Sequence, residues 1–137
     1  MGRYYSGDIE GKFAFGVQSS TAADRFGQSY MDPGYVEYYY QEEDLPNVKA
    51  ELKSISEKFG KHEDALIAYF DLRYYDYTSK HHMTFPEYLY KGALIDDPSK
   101  YFDDKKNLLS EYYDYLLGYK IMKCIEEIGE CSFTAEL

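Results

Sequence analysis

The chain of 137 residues contains no tryptophan, and it has only two cysteines, three histidines and four prolines. Cys124 and Cys131 are too few for a disulfide framework and too isolated for a metal cluster, so we expect two reduced, structural thiols. No stretch approaches the roughly 18 apolar residues that span a bilayer, and the N-terminus lacks the apolar run of a signal peptide. We therefore expect no membrane association and a cytoplasmic location.

Positive charge is scarce as well. Lysine and arginine number 15 against 25 aspartates and glutamates, which gives a formal net charge of -10. Because nonspecific nucleic-acid affinity comes mainly from Lys and Arg that neutralise phosphates, direct binding to duplex DNA or RNA is disfavoured. The same charge would attract a basic partner, with an affinity that weakens as salt rises. The alternative is that the acidity serves solubility alone.

The sequence also lacks common catalytic motifs, since it has no Gly-x-Gly-x-x-Gly, no phosphate-binding loop and no nucleophile elbow. His81 and His82 are adjacent, and neighbouring side chains point apart rather than converge on one ion, so we expect no metal and no cofactor. An enzyme is the less favoured class. Within it, a small endoribonuclease that uses His81 or His82 against the RNA 2′-hydroxyl stays open.

Tyrosine is abundant, with 18 tyrosines beside eight phenylalanines. Tyrosine supplies rigid contact area at low entropic cost and is enriched at interfaces, which favours a binding protein. A chain of this size also needs aromatic volume inside, so several tyrosines belong to the core. The length fits one domain, residues 1–137, which we expect to be a monomer or a small homo-oligomer.

Alternating apolar residues predict a small antiparallel sheet. In Asp8–Gln18 two phenylalanines and a valine alternate with polar or small residues, which indicates a strand with one buried face. A short helical turn is expected at Ala22–Phe26. Tyr35–Tyr40 is rich in strand-favouring side chains and is predicted to be a second strand, antiparallel to the first. Cys131–Ala135 alternates as a last short strand.

Capping signals and apolar spacing predict several helices. One helix is expected between Asp44 and Gly60, and a second begins near Lys61. A third starts with Thr84 as its cap and ends at Gly92. The last is a long amphipathic helix over Asp103–Ile128. The predicted fold class is α+β, with a small sheet from the two N-terminal strands and the C-terminal strand, covered by helices.

The densest acidic patch is Glu42, Glu43 and Asp44. It lies at a helix start, where carboxylates stabilise the positive end of the helix dipole, so a purely structural role is one interpretation. The functional interpretation is that these carboxylates imitate a phosphate backbone and occupy a basic groove. Tyrosines would then pack against the arginines of the partner, and the candidates are Tyr38, Tyr39, Tyr40, Tyr74, Tyr75 and Tyr77. A tyrosine-lined pocket that sequesters a nucleotide is a further alternative, disfavoured because few Lys or Arg can hold phosphate.

Two parts of the sequence resemble known families. Tyr4–Ser20, which reads YYSGDIEGKFAFGVQSS, and the ending Cys131–Leu137 are similar to a family of small acidic proteins from viruses and environmental sequences. Ser6–Gly60 resembles a type V-A anti-CRISPR family, which has a Ser-Gly-x-Phe-x-Phe-x-x-Gln-Ser pattern followed by an aromatic strand and an acidic helix start. Here Asp8–Lys12 lengthens the gap after Gly7.

That resemblance implies a phage- or virus-encoded inhibitor that acts in the host cytoplasm on a CRISPR effector nuclease. The anti-CRISPR family occupies the site that reads the motif flanking the target DNA, and it cuts the guide RNA. This sequence matches none of the catalytic residues of that family, so cleavage is not implied. The expected function is inhibition of a basic nucleic-acid-binding protein by acidic mimicry, with tyrosines as anchors.

Overall fold

The computed structural model describes residues 3–14, 18–27, 29–32, 34–75, 84–103 and 106–136. These residues form an α+β fold in which an antiparallel sheet of five strands packs against helices on one of its faces. The predicted fold class is therefore confirmed.

The two ends of the chain build the sheet together. Its strands, in the spatial order β2-β1-β5-β4-β3, are β1 (Tyr4–Gly7), β2 (Gly11–Lys12), β3 (Ser29–Asp32), β4 (Tyr35–Gln41) and β5 (Glu130–Glu136). The C-terminal strand β5 lies at the centre and pairs antiparallel with β1 on one side and β4 on the other. The predicted strands near residues 35–40 and 131–135 are confirmed, and both are slightly longer than predicted.

The N-terminal strand prediction is wrong in its position. Within Asp8–Gln18 the described residues contain only the two-residue strand β2, whereas the longer strand β1 precedes that range. Phe13 is buried as expected, and residues 15–17 lie outside the described part of the chain. β2 runs opposite to β4, as predicted, but β1 and β5 separate the two strands. β3 was not predicted. Residues 31–34 read Met-Asp-Pro-Gly, which is typical of a turn, and this sequence overlaps the end of β3, where Asp32 pairs with Tyr35.

The predicted helices are confirmed. They are α1 (Leu45–Glu57), α2 (Glu63–Tyr75), α3 (Phe85–Lys91) and α4 (Lys106–Ile128), and the turn predicted at residues 22–26 is a 3-10 helix over Ala22–Arg25. α3 begins with a capping box, since Thr84 Oγ1 accepts from Glu87 N at 3.3 Å and Glu87 Oε2 accepts from Thr84 N at 3.4 Å. No helix within the described ranges is long and apolar enough to cross a membrane.

Helix α4 packs against α1 and against the inner face of β4 and β5. Gly118 makes the approach possible, because a Cβ at this position would overlap the Phe26 ring and lie 2.9 Å from Leu52 Cδ2. Glycine costs a helix interior about 1 kcal/mol of propensity relative to alanine. The close packing of α4 therefore explains a residue that local propensity disfavours.

The core is aromatic, as the tyrosine content predicts. Tyr38 stacks on Phe133 with ring centroids 5.0 Å apart, and Phe70 packs 4.9 Å from Tyr115. Burial raises the pKa of Tyr115 to about 12. The buried tyrosines are Tyr5, Tyr38, Tyr40, Tyr69, Tyr101, Tyr112, Tyr115 and Tyr119.

Candidate functional site

One face of the sheet is exposed to solvent. Along β4 and β5 every second side chain points inward and is buried, while the others point outward. We call the outward side chains of β1, β4 and β5 the open sheet face. They are Tyr4, Ser6, Tyr35, Glu37, Tyr39, Gln41, Glu130, Ser132, Thr134 and Glu136.

The open sheet face combines carboxylates with tyrosines. Tyr4 is 51% exposed and Tyr39 is 53% exposed. Tyr39 Oη donates a 2.7 Å hydrogen bond to Glu130 Oε2 on the neighbouring strand, and Glu136 Oε2 accepts from Tyr4 N at 3.2 Å. The hydrogen bond to Glu130 raises the pKa of Tyr39. A carboxylate therefore holds the exposed side chain of Tyr39 in place, and a second carboxylate contacts the backbone of Tyr4.

The acidic patch predicted from the sequence adjoins this face. Glu42 and Glu43 follow directly after β4 in a short 3-10 helix, and both are exposed. Asp44 is half-buried, and its Oδ2 accepts a 2.8 Å hydrogen bond from Gln41 N. Asp44 thus has the structural role of capping the 3-10 helix that follows β4. Glu42 and Glu43 continue the acidic side chains of the open sheet face.

Two of the predicted anchors are core residues instead. Tyr38 is 1% exposed and Tyr40 is 0% exposed. Tyr38 Oη donates to Asp24 Oδ1 at 2.9 Å, and Tyr40 Oη donates to the carbonyl of Ala23 at 2.9 Å. The 3-10 helix Ala22–Arg25 therefore satisfies both hydroxyls from the inner side of the sheet. The fold therefore corrects the prediction that these two tyrosines lie at a partner surface. Side chains alternate between the two faces of a strand, and Tyr38 and Tyr40 belong to the buried face.

The other predicted positions are only partly described. Tyr74 and Tyr75 belong to the last turn of α2, and Tyr77 lies outside the described residues, as do His81 and His82. The third histidine, His62, is 3% exposed, with its ring 5.8 Å from that of Tyr101. The described residues therefore place Tyr39, Glu42 and Glu43 on one continuous surface. The side chains of Tyr74, Tyr75 and Tyr77 lie outside the described part of the chain.

Sequence reasoning missed several residues of this surface. Tyr35 and Glu37 could have been found, because they share the alternation of β4 with Tyr39. Glu130 and Glu136 could also have been found, because they flank the predicted strand Cys131–Ala135 and share the alternation of Ser132 and Thr134. Tyr4 has no such signal, because it joins the surface through the pairing of β1 with β5. Tyr4 also pairs with Lys12 of β2, whose Nζ lies 5.9 Å from the centroid of the Tyr4 ring.

A second charged cluster surrounds Arg25. Its Nε lies 2.7 Å from Glu51 Oε1, and its Nη1 lies 3.0 Å from Glu111 Oε2 and 2.8 Å from Asp114 Oδ2. Lys58 Nζ contacts Glu111 Oε1 at 2.8 Å. These ion pairs join the 3-10 helix Ala22–Arg25 to α1 and α4, so we assign the cluster a structural role.

The pKa values of the cluster support that assignment. Burial raises the pKa of Asp114, and the hydrogen bond from Arg25 offsets this only in part. Burial acts in the same direction on Glu111, but the hydrogen bond from Lys58 and the charge of Arg25 outweigh it, so the pKa of Glu111 is lowered. Two neighbouring carboxylates are thus shifted in opposite directions by their packing and their partners.

The two cysteines are buried at the junction of α4 and β5, and both are free thiols. Cys124 Sγ donates to the carbonyl of Glu130 at 3.2 Å. Burial raises the pKa of both thiols, which disfavours the reactive thiolate. Among the described residues, no group of three or more His, Cys, Asp or Glu side chains is arranged to hold a metal ion.

No protein-family model, no curated protein and no solved structure matches this chain. The resemblances drawn from the sequence therefore stay predictions.

Proposed function

We propose that this protein is an inhibitor that binds a basic, nucleic-acid-binding protein through its open sheet face. The observation that carries the proposal is the composition of that face: the described side chains of β1, β4 and β5 place Glu37, Glu130 and Glu136 beside exposed tyrosines, with no lysine or arginine on these three strands. Lys12 of β2 adds one positive charge at the edge of the face beside Tyr4. The three carboxylates outnumber it, and an excess of negative charge attracts a basic partner.

The spacing of the carboxylates suits a site built for a nucleic-acid strand. Glu130 and Glu136 lie at the two ends of β5, six residues apart, which corresponds to about 20 Å of extended chain. That length equals about six steps of a DNA strand at 3.4 Å per step. Glu37 lies between them on β4, opposite Thr134, and Glu42 and Glu43 continue the acidic surface past Gln41.

Tyrosine adds contact area to this charge. Tyr39 has its hydroxyl held by Glu130, so its ring loses less conformational freedom when a partner covers it. Arginine, the residue with which nucleic-acid-binding proteins hold phosphate, also packs on aromatic faces and pairs with carboxylates. A partner arginine can therefore use both kinds of contact on this surface.

The type V-A anti-CRISPR resemblance supplies one partner class to test, a guide-RNA-loaded CRISPR effector nuclease in the host cytoplasm. On this proposal the protein occupies the channel that holds nucleic acid and blocks it without chemistry. The alternative, an endoribonuclease that cuts guide RNA, depends on His81 or His82, which lie outside the described residues.

Binding to a panel of purified basic nucleic-acid-binding proteins tests the proposal, with a guide-loaded effector nuclease among them. We expect at least one member to bind, with an affinity that falls between about 50 and 200 mM salt and that free nucleic acid competes away. Absence of binding to every basic member, or binding that nucleic acid leaves unchanged, would contradict acidic mimicry.

A triple variant locates the surface. Glu37→Gln, Glu42→Gln and Glu43→Gln together remove three exposed carboxylates and retain Asp44, which caps the chain. We expect the affinity for the partner to fall about tenfold and its salt dependence to weaken. The matched control removes three exposed carboxylates on other elements, through Glu57→Gln, Asp96→Asn and Glu126→Gln. An equal loss in the control would mean that net charge alone drives binding.

A further inference from the structure

A groove of about 1130 Å3 lies between the β1–β2 hairpin and the C-terminal half of α4. It is comparable with the roughly 300–1,000 Å3 of clefts that bind small ligands. Its lining is mostly apolar, and it includes Ile9 from the hairpin, Phe70 from α2 and Leu116 from α4. An apolar concave surface with a few polar groups is the usual form of a small-molecule site.

The charged groups that line this groove are balanced, unlike those of the chain as a whole. Lys12, Lys120 and Lys123 line it, together with three acidic residues, whereas the chain as a whole has 25 acids to 15 bases. The groove is therefore less acidic than the protein average. An anion meets less repulsion here than on the open sheet face.

Lys120 has a defined position in the groove. Its Nζ donates to Tyr5 Oη at 2.9 Å and to the carbonyl of Glu10 at 3.0 Å, and it lies 5.2 Å from the centroid of the Tyr5 ring. The hairpin comes this close because residue 11 is glycine: a Cβ there would overlap the Tyr5 hydroxyl and lie 2.9 Å from Lys120 Nζ. Two oxygen atoms and a ring thus contact the ammonium group of Lys120 at the wall of the groove.

A second lysine is held in a similar way one turn further along α4. Lys123 Nζ lies 5.5 Å from the centroid of the Tyr119 ring, and Tyr119 Oη donates to Asp71 Oδ1 at 2.7 Å. The hydrogen bond to Asp71 fixes the orientation of the Tyr119 ring, and the ring contacts the ammonium group of Lys123. Positive groups that are already ordered lose little freedom when they bind an anion.

We propose that this groove binds a small organic anion, in which a carboxylate or phosphate is attached to an apolar or aromatic body. The anion contacts Lys120 and Lys123, and the body packs against Leu116 and Ile128, the apolar side chains of α4 that line the groove and remain accessible. Each part of the ligand has a complement in the lining: charge-assisted hydrogen bonds for the acid group and burial of apolar surface for the remainder.

NMR titration of the full 15N-labelled chain with three probes tests this inference: laurate, adenosine monophosphate and inorganic phosphate. We expect laurate or adenosine monophosphate to shift the amides of residues 9–12 and 116–127 in a saturable manner, and inorganic phosphate to bind much more weakly. Saturation by laurate alone identifies an acyl ligand, and saturation by the nucleotide alone identifies a nucleotide. No saturable shift with either, or an equal response to inorganic phosphate, overturns the proposal.

Two lysine variants make the test specific. Lys123→Gln removes the charge and leaves a shorter, neutral polar side chain, so we expect affinity for the bound probe to fall about fivefold to tenfold. Lys49→Gln makes the same change at an exposed position of α1 and should leave affinity unchanged. Equal affinity in the two variants would show that the groove does not use Lys123 and would overturn the site as drawn.

Discussion

Tyr39 of β4 and Glu130 of β5 form one unit on the open sheet face, joined by a 2.7 Å hydrogen bond from the hydroxyl to Oε2. The hydroxyl loses this bond when it ionises, and the resulting phenolate would face a carboxylate, which is why the pKa of Tyr39 is raised above its ordinary value of 10.0. We expect Glu130→Gln to lower the pKa of Tyr39, as followed by pH titration of the ring carbon signals. Glu126→Gln, which removes a charge from α4, should not change it. An equal shift in both variants would contradict a direct bond.

Partner binding should depend on Tyr39 far more than on another tyrosine of equal exposure. Tyr39 and Tyr90 are both 53% exposed, but Tyr90 belongs to α3, away from the open sheet face. We expect Tyr39→Ala to weaken binding to the basic partner by about tenfold, the effect of losing one central aromatic contact. Tyr90→Ala should bind as the unmodified protein does. Biolayer interferometry measures the partner affinity of the two variants. A similar loss of affinity in both would place the interface elsewhere.

Local signals predicted the helices because their ends depend on neighbouring residues. Thr84 and Glu87 form the capping box within four residues, and Gly60 adopts a positive φ of 57° that ends the preceding turn. The order of the strands depends on contacts between the ends of the chain, such as that of Tyr4 N with Glu136 Oε2. No local pattern reveals that β5 lies at the centre, so the sheet was predicted in content but not in arrangement.

The candidate site, too, was predictable in part from local sequence. Residues 38 to 40 were interpreted as one tyrosine surface, although adjacent strand residues must point to opposite faces. Applying that alternation to the predicted strand would have separated Tyr39 from Tyr38 and Tyr40. Val36 shares a face with Tyr38 and Tyr40, and Glu37 shares the other face with Tyr39, so the same alternation also indicates which face is buried. The strand alone does not show that Asp24 and Ala23 accept the two inner hydroxyls.

Gly118 should be intolerant of a side chain. Alanine there gains about 1 kcal/mol of helix propensity, but its Cβ would overlap the buried Phe26 ring, and overpacking typically costs about 1–3 kcal/mol. We expect Gly118→Ala to reduce the free energy of unfolding in urea by up to about 2 kcal/mol, the cost of overpacking less the gain in propensity. Gly92→Ala is the control, because its Cβ would have no neighbour closer than 3.5 Å and its φ is -83°. Stabilisation by Gly118→Ala would mean that α4 can move away from the core at little cost.

Stability in acid should respond in opposite ways to loss of Glu111 and to loss of Asp114, which are two of the three carboxylates around Arg25. The pKa of Glu111 is lowered from 4.5, so its ionised form favours the folded state, and this contribution is present above about pH 4.5 and lost as the pH falls through the folded-state value. The pKa of Asp114 is raised from 3.8, so its contribution is full below that pH and declines as the pH rises through the higher folded-state value.

Urea unfolding of Glu111→Gln and Asp114→Asn between about pH 3 and pH 6 separates these effects. As the pH rises, the unmodified protein should gain free energy of unfolding relative to Glu111→Gln and lose it relative to Asp114→Asn. Both variants remove one carboxylate from Arg25, so a general loss of ion pairing would change the two differences in the same direction. Parallel pH profiles would therefore contradict the opposite shifts, whereas diverging profiles would show that burial governs Asp114 and that the Lys58 and Arg25 contacts govern Glu111.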